Sequence, residues 1–433
     1  MPAARPPALL CIVPVLVIAC GVARGADVDL ARALEQNSHE IRLQAGELAG
    51  DGRGFILQAT RGAQFVALGE EHNNRDIPPF AAALFRLLRD SAGFQYLATE
   101  QDPVMMERVA TAPVRGDDAA ITALAARYLM GFTFDSDQEL AMLAQIGALS
   151  SGRGRPVWGC DQAFGVTHIL DELLPYAAGA SRIEVEALRT QAAQAEATRD
   201  LGKRTFMQSE ALAAAVPKLR AVFPAAGAPR AAFLVETLAK SSEIYQYYLA
   251  GDRGEVPGYY SNNAVREEYL KSRFLAEYRY AGGRDRRPPK VLLKFGGYHL
   301  YRGLSPTSVP SLGNFVNDFA RAHDSGFFSI LTVAFGAADA EGSKVSPTFA
   351  SIVGNERTRF LKAFAPAADP GRWTLLDLRP FREYPYYRAL RGSVPDLTDE
   401  GREELHRLLY GYDALLLIGG SAPATHEATH VEY

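Results

Sequence analysis

The chain has 433 residues, 48% of them hydrophobic, with 46 Lys and Arg against 50 Asp and Glu and a formal net charge of −4. Acidic and basic side chains are interspersed, so the sequence lacks the basic face that nucleic acid requires. Of its three cysteines, Cys11 and Cys20 fall in the N-terminal apolar segment. Cys160 is left without an internal partner, and the fold cannot rest on disulfides.

Arg5 places a positive charge near the N-terminus, and the twelve residues Ala8 through Ala19 carry no charged side chain. That run suits the core of a signal peptide and falls short of the ~20 residues that cross a bilayer as a helix. Val17-Ile18-Ala19-Cys20-Gly21 closes it and resembles the lipobox of bacterial lipoproteins. The resemblance implies cleavage before Cys20, lipidation of that cysteine, and a place in the cell envelope on the periplasmic face of the outer membrane. Ordinary cleavage near Gly21-Val22-Ala23 is the alternative and leaves a periplasmic or secreted protein. The only expected membrane contact is through the N-terminal lipid anchor, because no later stretch is apolar enough to span a bilayer.

Residues 27–60 mix Leu, Ala, Glu and Gln at helical spacing and turn glycine-rich at Gly50 to Gly54, which predicts a lead-in helix and a loop. Phe65-Val66-Ala67-Leu68-Gly69 reads as a buried strand, followed at once by Glu70-Glu71-His72-Asn73-Asn74. Phe80, Leu84, Leu87 and Leu88 predict an amphipathic helix from Ile77, with Asp76 as its cap and Pro78 in the first turn. Phe94 to Glu100 is a second strand, so the three elements make a right-handed βαβ unit.

Helical patterning runs from Asp102 to Ser150 with a break at Gly131-Phe132-Thr133-Phe134. Arg155 to Asp161 is a third strand. From about Val166 to Gly283 the chain is almost wholly helical, divided by Pro217, Pro224 and Pro257. Lys290 to Gly296 is a fourth strand, running into Gly297-Tyr298-His299. A helix at Leu312 to Ala322 and strands at Phe327 to Val333, Trp373 to Leu378 and Asp413 to Ile418 follow, with a helix at Asp399 to Leu409. Residues 421–433 form a polar tail expected to fray. The pattern predicts an α/β domain over 27–420: a mainly parallel sheet flanked by helices, with a large helical insertion at about 166–285 capping the active edge. A separate all-helical domain is the alternative for the insertion.

Parallel strands joined by helical crossovers bring their carboxyl ends to one crevice. Four such ends carry Glu70-Glu71-His72, Glu100, Asp161 and His299. Unpaired buried charge is costly, so acids and imidazoles gathered there need a use. Neutral imidazoles and ionised acids can ligate a metal. Alternatively, a histidine oriented by an acid can serve as general base on a water that attacks a carbonyl. Gly69 to His72 and Gly296 to His299 repeat one glycine-x-x-histidine spacing directly after a strand. Taken singly, Glu100 reads as a helix cap and Asp161 as a loop-ordering acid. His168, His323 and His406 fall in predicted helices and read as surface or lightly packed, and His39 has no context. Cys160 reads as a small buried hydrophobe.

Glu70-Glu71-His72-Asn73-Asn74, Glu100 and Gly296-Gly297-Tyr298-His299 together resemble the superfamily of erythromycin esterases, Tiki-type metalloproteases and ChaN-like haem-binding lipoproteins. Gly159-Cys160-Asp161, the stretch from Asn263 to Phe274 with Arg266 and Glu267, and Tyr412-Asp413-Ala414-Leu415 are similar to the esterase branch. That branch implies His72 as general base, Glu100 as the acid holding it, and His299 beside the oxyanion or substrate. The Tiki branch implies a divalent metal on His72, Glu100 and His299. The ChaN-like branch implies a haem-binding dimer without catalysis. The first glutamate and histidine stand one residue closer than in the esterases, as in Tiki and ChaN-like members.

The resemblance and the residues together imply an exported hydrolase of ester or amide bonds acting on a small molecule or peptide, with water activated by His72. Glu100 is expected to orient it. His299, with Glu70 or Glu71 and Asp161, is expected to stabilise charge or hold a metal. Tyr298, Arg302 and Arg266 are candidate substrate contacts. Tyr245, Tyr247, Tyr248, Tyr259 and Tyr260 in the insertion read as helix packing or an aromatic cleft. Haem binding is the competing expectation, with Tyr298 or a histidine as axial ligand.

Overall fold

A computed structural model describes residues 28–111, 114–150, 154–197, 205–337, 347–427 and 429. The expected leader with Cys20 lies outside the described residues. Within them, no helix is long and apolar enough to cross a membrane.

The described strands are β1 Ser38–Gln44, β2 Glu47–Ala49, β3 Ala63–Glu70, β4 Tyr96–Thr99, β5 Val157–Gly159, β6 Val291–Gly296, β7 Gly326–Phe335, β8 Trp373–Asp377 and β9 Ala414–Gly419. They form one sheet in the order β2-β1-β8-β9-β7-β3-β6-β4-β5. From β9 to β5 every pairing is parallel, whereas β8, β1 and β2 add an antiparallel edge. The fold is α/β with a mainly parallel sheet, as the strand-and-helix pattern indicates.

β3 lies at the centre between β6 and β7 and is buried at all eight positions. Its side chains alternate between two apolar layers, as successive strand residues must. Phe65 and Ala67 face Leu270, Phe274 and Val316 on one side. Val66 and Leu68 face Phe80, Leu84, Leu88 and Leu143 on the other. The helix Ile77–Ala92 covers that second face and stops at Gly93, whose φ of 75° gives the left-handed turn that ends a helix. The helices Gly258–Asp285 and Leu312–Ala322 cover the first face.

Between β5 and β6 the chain makes the helices Thr167–Leu173, Ala180–Ala195, Glu210–Val222, Pro229–Asp252 and Gly258–Asp285. The first four share an apolar core of their own, including Ile169, Val185, Leu212, Leu234 and Leu238. The fifth packs along Pro229–Asp252 on one side and on the sheet on the other.

Several expectations are corrected. The lead-in holds a helix Leu30–Gln36, then the β1–β2 hairpin, then a helix Asp51–Ala59. The hairpin turns through Ala45 and Gly46, both at positive φ (50° and 77°), the geometry a two-residue hairpin loop demands. Pro217 lies inside Glu210–Val222 and does not divide it. Asp76 makes no side-chain cap; its carboxylate accepts from Ser421 Oγ at 2.6 Å instead. His168, expected near the surface, is buried and bonded to Asp102 Oδ2 at 2.8 Å. The tail is docked rather than frayed as far as Glu427, as described below.

Phe274 ties the insertion's last helix to the sheet, with its ring centroid 5.9 Å from those of Phe65 and Trp158. Phe274→Ala is expected to cost about 3–5 kcal/mol, read from the midpoint of urea unfolding at unchanged slope.

Candidate active site

The register brings the strand ends level: Glu70 stands opposite Gly296, and Thr99 opposite both Lys294 and Gly159. Glu100 follows β4 and sits at the middle of the cluster. Its Oε2 accepts the Gly296 N–H at 2.6 Å, and its Oε1 accepts from Arg266 Nη2 at 2.5 Å. His299 Nε2 lies 3.3 Å from Oε1, and His72 Nε2 lies 3.7 Å from Oε2. Burial alone would favour the neutral acid, but His299, His72 and Arg266 outweigh it and hold the carboxyl well below its usual range. Gly296 must be glycine here, because a Cβ would stand 2.7 Å from His72 Nε2 and 3.2 Å from Glu100 Oε2.

Arg266 comes from the insertion's last helix and also grips Asp161, through Nε at 2.9 Å and Nη2 at 2.5 Å. The next residue, Glu267, accepts from His299 Nδ1 at 2.6 Å and from Leu312 N at 2.7 Å. Both nitrogens of His299 therefore face carboxylates. Burial opposes its charge, yet Glu100 and Glu267 push the imidazole up to about 10, so it is held as a cation. Its side chain is only 7% exposed.

His72 is placed differently, with 33% of its side chain reached by solvent. Nδ1 lies 3.3 Å from Glu70 Oε1, an ion-pair approach without hydrogen-bond alignment. Phe134 stacks on the ring at 4.0 Å and 15°. Burial works against the imidazolium, but Glu100 and Glu70 raise the pKa above the ordinary value. Glu70 is itself anchored by Lys294 Nζ at 2.7 Å, and the same ammonium meets Glu139 Oε2 at 2.8 Å. Lys294 is buried in β6. Burial penalises the Glu70 anion, but Lys294 and His72 together outweigh it and lower its pKa. Burial raises Glu139, with Glu70 beside it adding to the push.

Glu71 accepts the Ala334 N–H at 3.1 Å, and the protein packed around it pushes the carboxyl up to about 7. The side chain is nonetheless solvent-exposed, which tempers that push. Tyr298 is half-exposed on the turn Gly297–His299. Arg302, expected at the substrate, is instead taken up by Asp413 in a bidentate pair at 2.7 and 2.9 Å. Arg266 likewise serves the carboxylates Glu100 and Asp161. Cys160 is fully buried, and burial drives its thiol pKa upward, away from nucleophilic use.

The sequence reading gave no role to Lys294, Glu139, Phe134 or Glu267. A lone lysine between Leu293 and Phe295 in an apolar strand was the available signal, since such a charge is buried only against a partner.

The cluster of His72, Glu100 and His299 does not suit a metal ion. Both nitrogens of His299 already face the carboxylates of Glu100 and Glu267, and the Arg266 guanidinium sits on Glu100 where a metal would have to go. Among the described residues, no group of three or more potential ligands is placed to hold an ion.

No protein-family model matches the sequence, and no curated protein does. Solved structures place the chain in the class of α/β proteins with an erythromycin-esterase-like fold. A mutant of the erythromycin esterase EreC in its open conformation superposes with a TM-score of 0.54 at 14% identity, over 89% of this chain and 98% of that one. A succinoglycan biosynthesis protein gives 0.55 at 14% over 93% and 100%, and a Bacillus cereus protein 0.55 at 12% over 92% and 98%. Identity this low establishes the fold and leaves the activity open. A haem-binding ChaN of Campylobacter jejuni reaches only 0.31 at 11% over 70% of this chain and 93% of that one, which carries no argument.

Lys294→Met leaves two carboxylates buried against an apolar side chain and is expected to cost about 3–5 kcal/mol in denaturant unfolding. The raised pKa of His299 contributes stability that is complete below the ordinary imidazole value of about 6.5 and is lost as pH rises. Unfolding free energy should therefore decline from near pH 6.5 toward about 10, and His299→Gln should flatten that slope.

Proposed function

We propose that this protein is a hydrolase of ester or amide bonds in which His72 activates water. The observation that carries the reading is the state of one ring. His72 is the solvent-reached imidazole of the pair. Its Nδ1 faces a glutamate that Lys294 keeps ionised, while Nε2 stands 3.7 Å from Glu100, beyond hydrogen-bond reach. Nε2 therefore keeps a lone pair for the proton of a water lying beside it. The orienting acid at Nδ1 is Glu70 in this reading, and Glu100 organises the cations around the crevice.

The step balances simply. His72 Nε2 takes one proton from water as its oxygen bonds to the carbonyl carbon. The imidazolium, stabilised by Glu70 and Glu100, then returns that proton to the departing alkoxide or amine as the tetrahedral intermediate collapses. His299 and Arg266, both fixed as cations, supply positive charge near the developing oxyanion. Tyr298 at the turn is a substrate contact. Cleavage before Cys20 and lipidation of that cysteine would hold the enzyme at the envelope, where its substrates are small exported molecules or peptides.

Steady-state hydrolysis of a panel of activated esters and anilides tests this. His72→Ala is expected to lower kcat by about 10²–10⁴-fold, the range for loss of a general base. The rate should rise with pH through an apparent pKa above that of an ordinary imidazole, because the catalytic form is the neutral ring. Chelators should leave it unchanged. Hydrolysis that survives His72→Ala would overturn the assignment.

A further inference from the structure

The segment after β9 is built into the molecule. Ser421 N donates to Phe335 O at 3.0 Å, one residue beyond the Ala334 N–H that holds Glu71. The chain then crosses the loop that bears His72. Arg75 N donates to Ala422 O at 3.0 Å, Asn74 and Pro423 form an antiparallel bridge, and Ala424 N donates to Asn73 O at 2.9 Å. Ser421 Oγ also reaches Asn74 Oδ1 at 3.0 Å and Asp76 Oδ2 at 2.6 Å.

Further on, the same segment meets the opposite wall of the crevice. Asp137 N donates to Thr425 O at 2.9 Å, and Thr425 N donates to Gln138 Oε1 at 3.0 Å. The Asp137 carboxylate accepts from Thr425 Oγ1 at 2.5 Å and from Glu427 N at 3.0 Å. His426 Nδ1 lies 3.2 Å from Asp135 Oδ1, next to the Phe134 ring that stacks on His72. Asp137 and Gln138 open the helix Asp137–Leu149, which carries Glu139 to Lys294.

The His72 loop and the Phe134 segment are both irregular backbone; the second is also held by Gln101, which accepts from Thr133 N at 2.9 Å and donates to Phe134 O at 2.7 Å. Asn73, directly after His72, has φ of 60° in the left-handed region. Asparagine is among the non-glycine residues that enter this region most readily, and single residues there are held by their local contacts. The contact on the Asn73 carbonyl comes from Ala424.

We propose that residues 421–427 act as a strap that positions His72, pinning its loop on one side and the Phe134 segment on the other. The inference rests on His72 being the catalytic base. Ser421 to Glu427 are thus positioning residues: they touch neither the ring nor the reacting atoms and act through the two loops.

Three variants test it: a chain ending at Gly420, Ala424→Pro, which removes the N–H on Asn73 O, and Ala424→Gly, which keeps it. Amide hydrogen exchange of peptides covering 71–76 and 133–138 is read without substrate, beside kcat and KM for ester hydrolysis. The shortened chain and Ala424→Pro should exchange faster in both peptides and unchanged in those covering β4 and β6. Their kcat should fall about tenfold or more with KM within about twofold, since small misplacement of a catalytic group is costly. Ala424→Gly should match the parent in both readouts. Unchanged exchange at 71–76 in folded Ala424→Pro, or equal losses in Ala424→Gly, would overturn the strap. Should the shortened chain not fold, the point variants decide. If no ester or anilide is hydrolysed, exchange still judges the strap while the hydrolase reading fails separately.

Discussion

The Glu100 carboxylate is the constraint on which the rest of this site depends. It gathers the Gly296 backbone amide, the Arg266 guanidinium and two imidazoles around one buried group. Each of those partners comes from a different part of the chain: the end of β6, the insertion's last helix, the turn after β6 and the turn after β3. A carboxylate so placed is expensive to bury unless every lone pair is met. The geometry of three strand ends and one distant helix is therefore tied to the solvation of a single side chain.

A second balance runs beneath it. Glu70, Glu100, Glu139, Asp161 and Glu267 are all buried, whereas the permanent cations among them are Lys294 and Arg266. The deficit is made up by protons: one held firmly on His299, one that His72 favours above the usual imidazole range, and one that burial encourages on Glu139. The site is thus a proton-rich pocket whose charge is set by its own titrating groups. That suits a reaction in which a proton is borrowed from water and handed on.

Much of this was legible in the sequence, and the reasons differ by element. β9 and the Phe65–Gly69 core of β3 are continuous apolar runs, and β6 is one broken at Lys294 alone, because parallel strands are covered on both faces; glycine or an acid marks each end. The residues just past those ends could be named because the topology aims them at a common edge. The β1–β2 hairpin was hidden because β1 alternates polar and apolar side chains over only seven residues and its turn is Ala45-Gly46, without the usual Asn or Asp. Lys294 and Glu139 were hidden because their meaning is pairwise: each makes sense only opposite the other. Arg302 shows the converse, a charged residue beside a motif whose partner, Asp413, lies more than a hundred positions away.

The four helices from Thr167 to Asp252 enclose an apolar core separate from the two that sandwich the sheet. A unit with its own interior is a cooperative unit, with a local opening free energy distinct from that of the sheet. It can loosen or accumulate substitutions while the strand ends stay in register. The helix Gly258–Asp285, carrying Arg266 and Glu267, packs on both, and His168 with Asp102 and Arg230 with Glu107 tie the bundle to the segment that follows Glu100. Sequence drift in the bundle's interior therefore reaches the crevice through that helix and those paired charges.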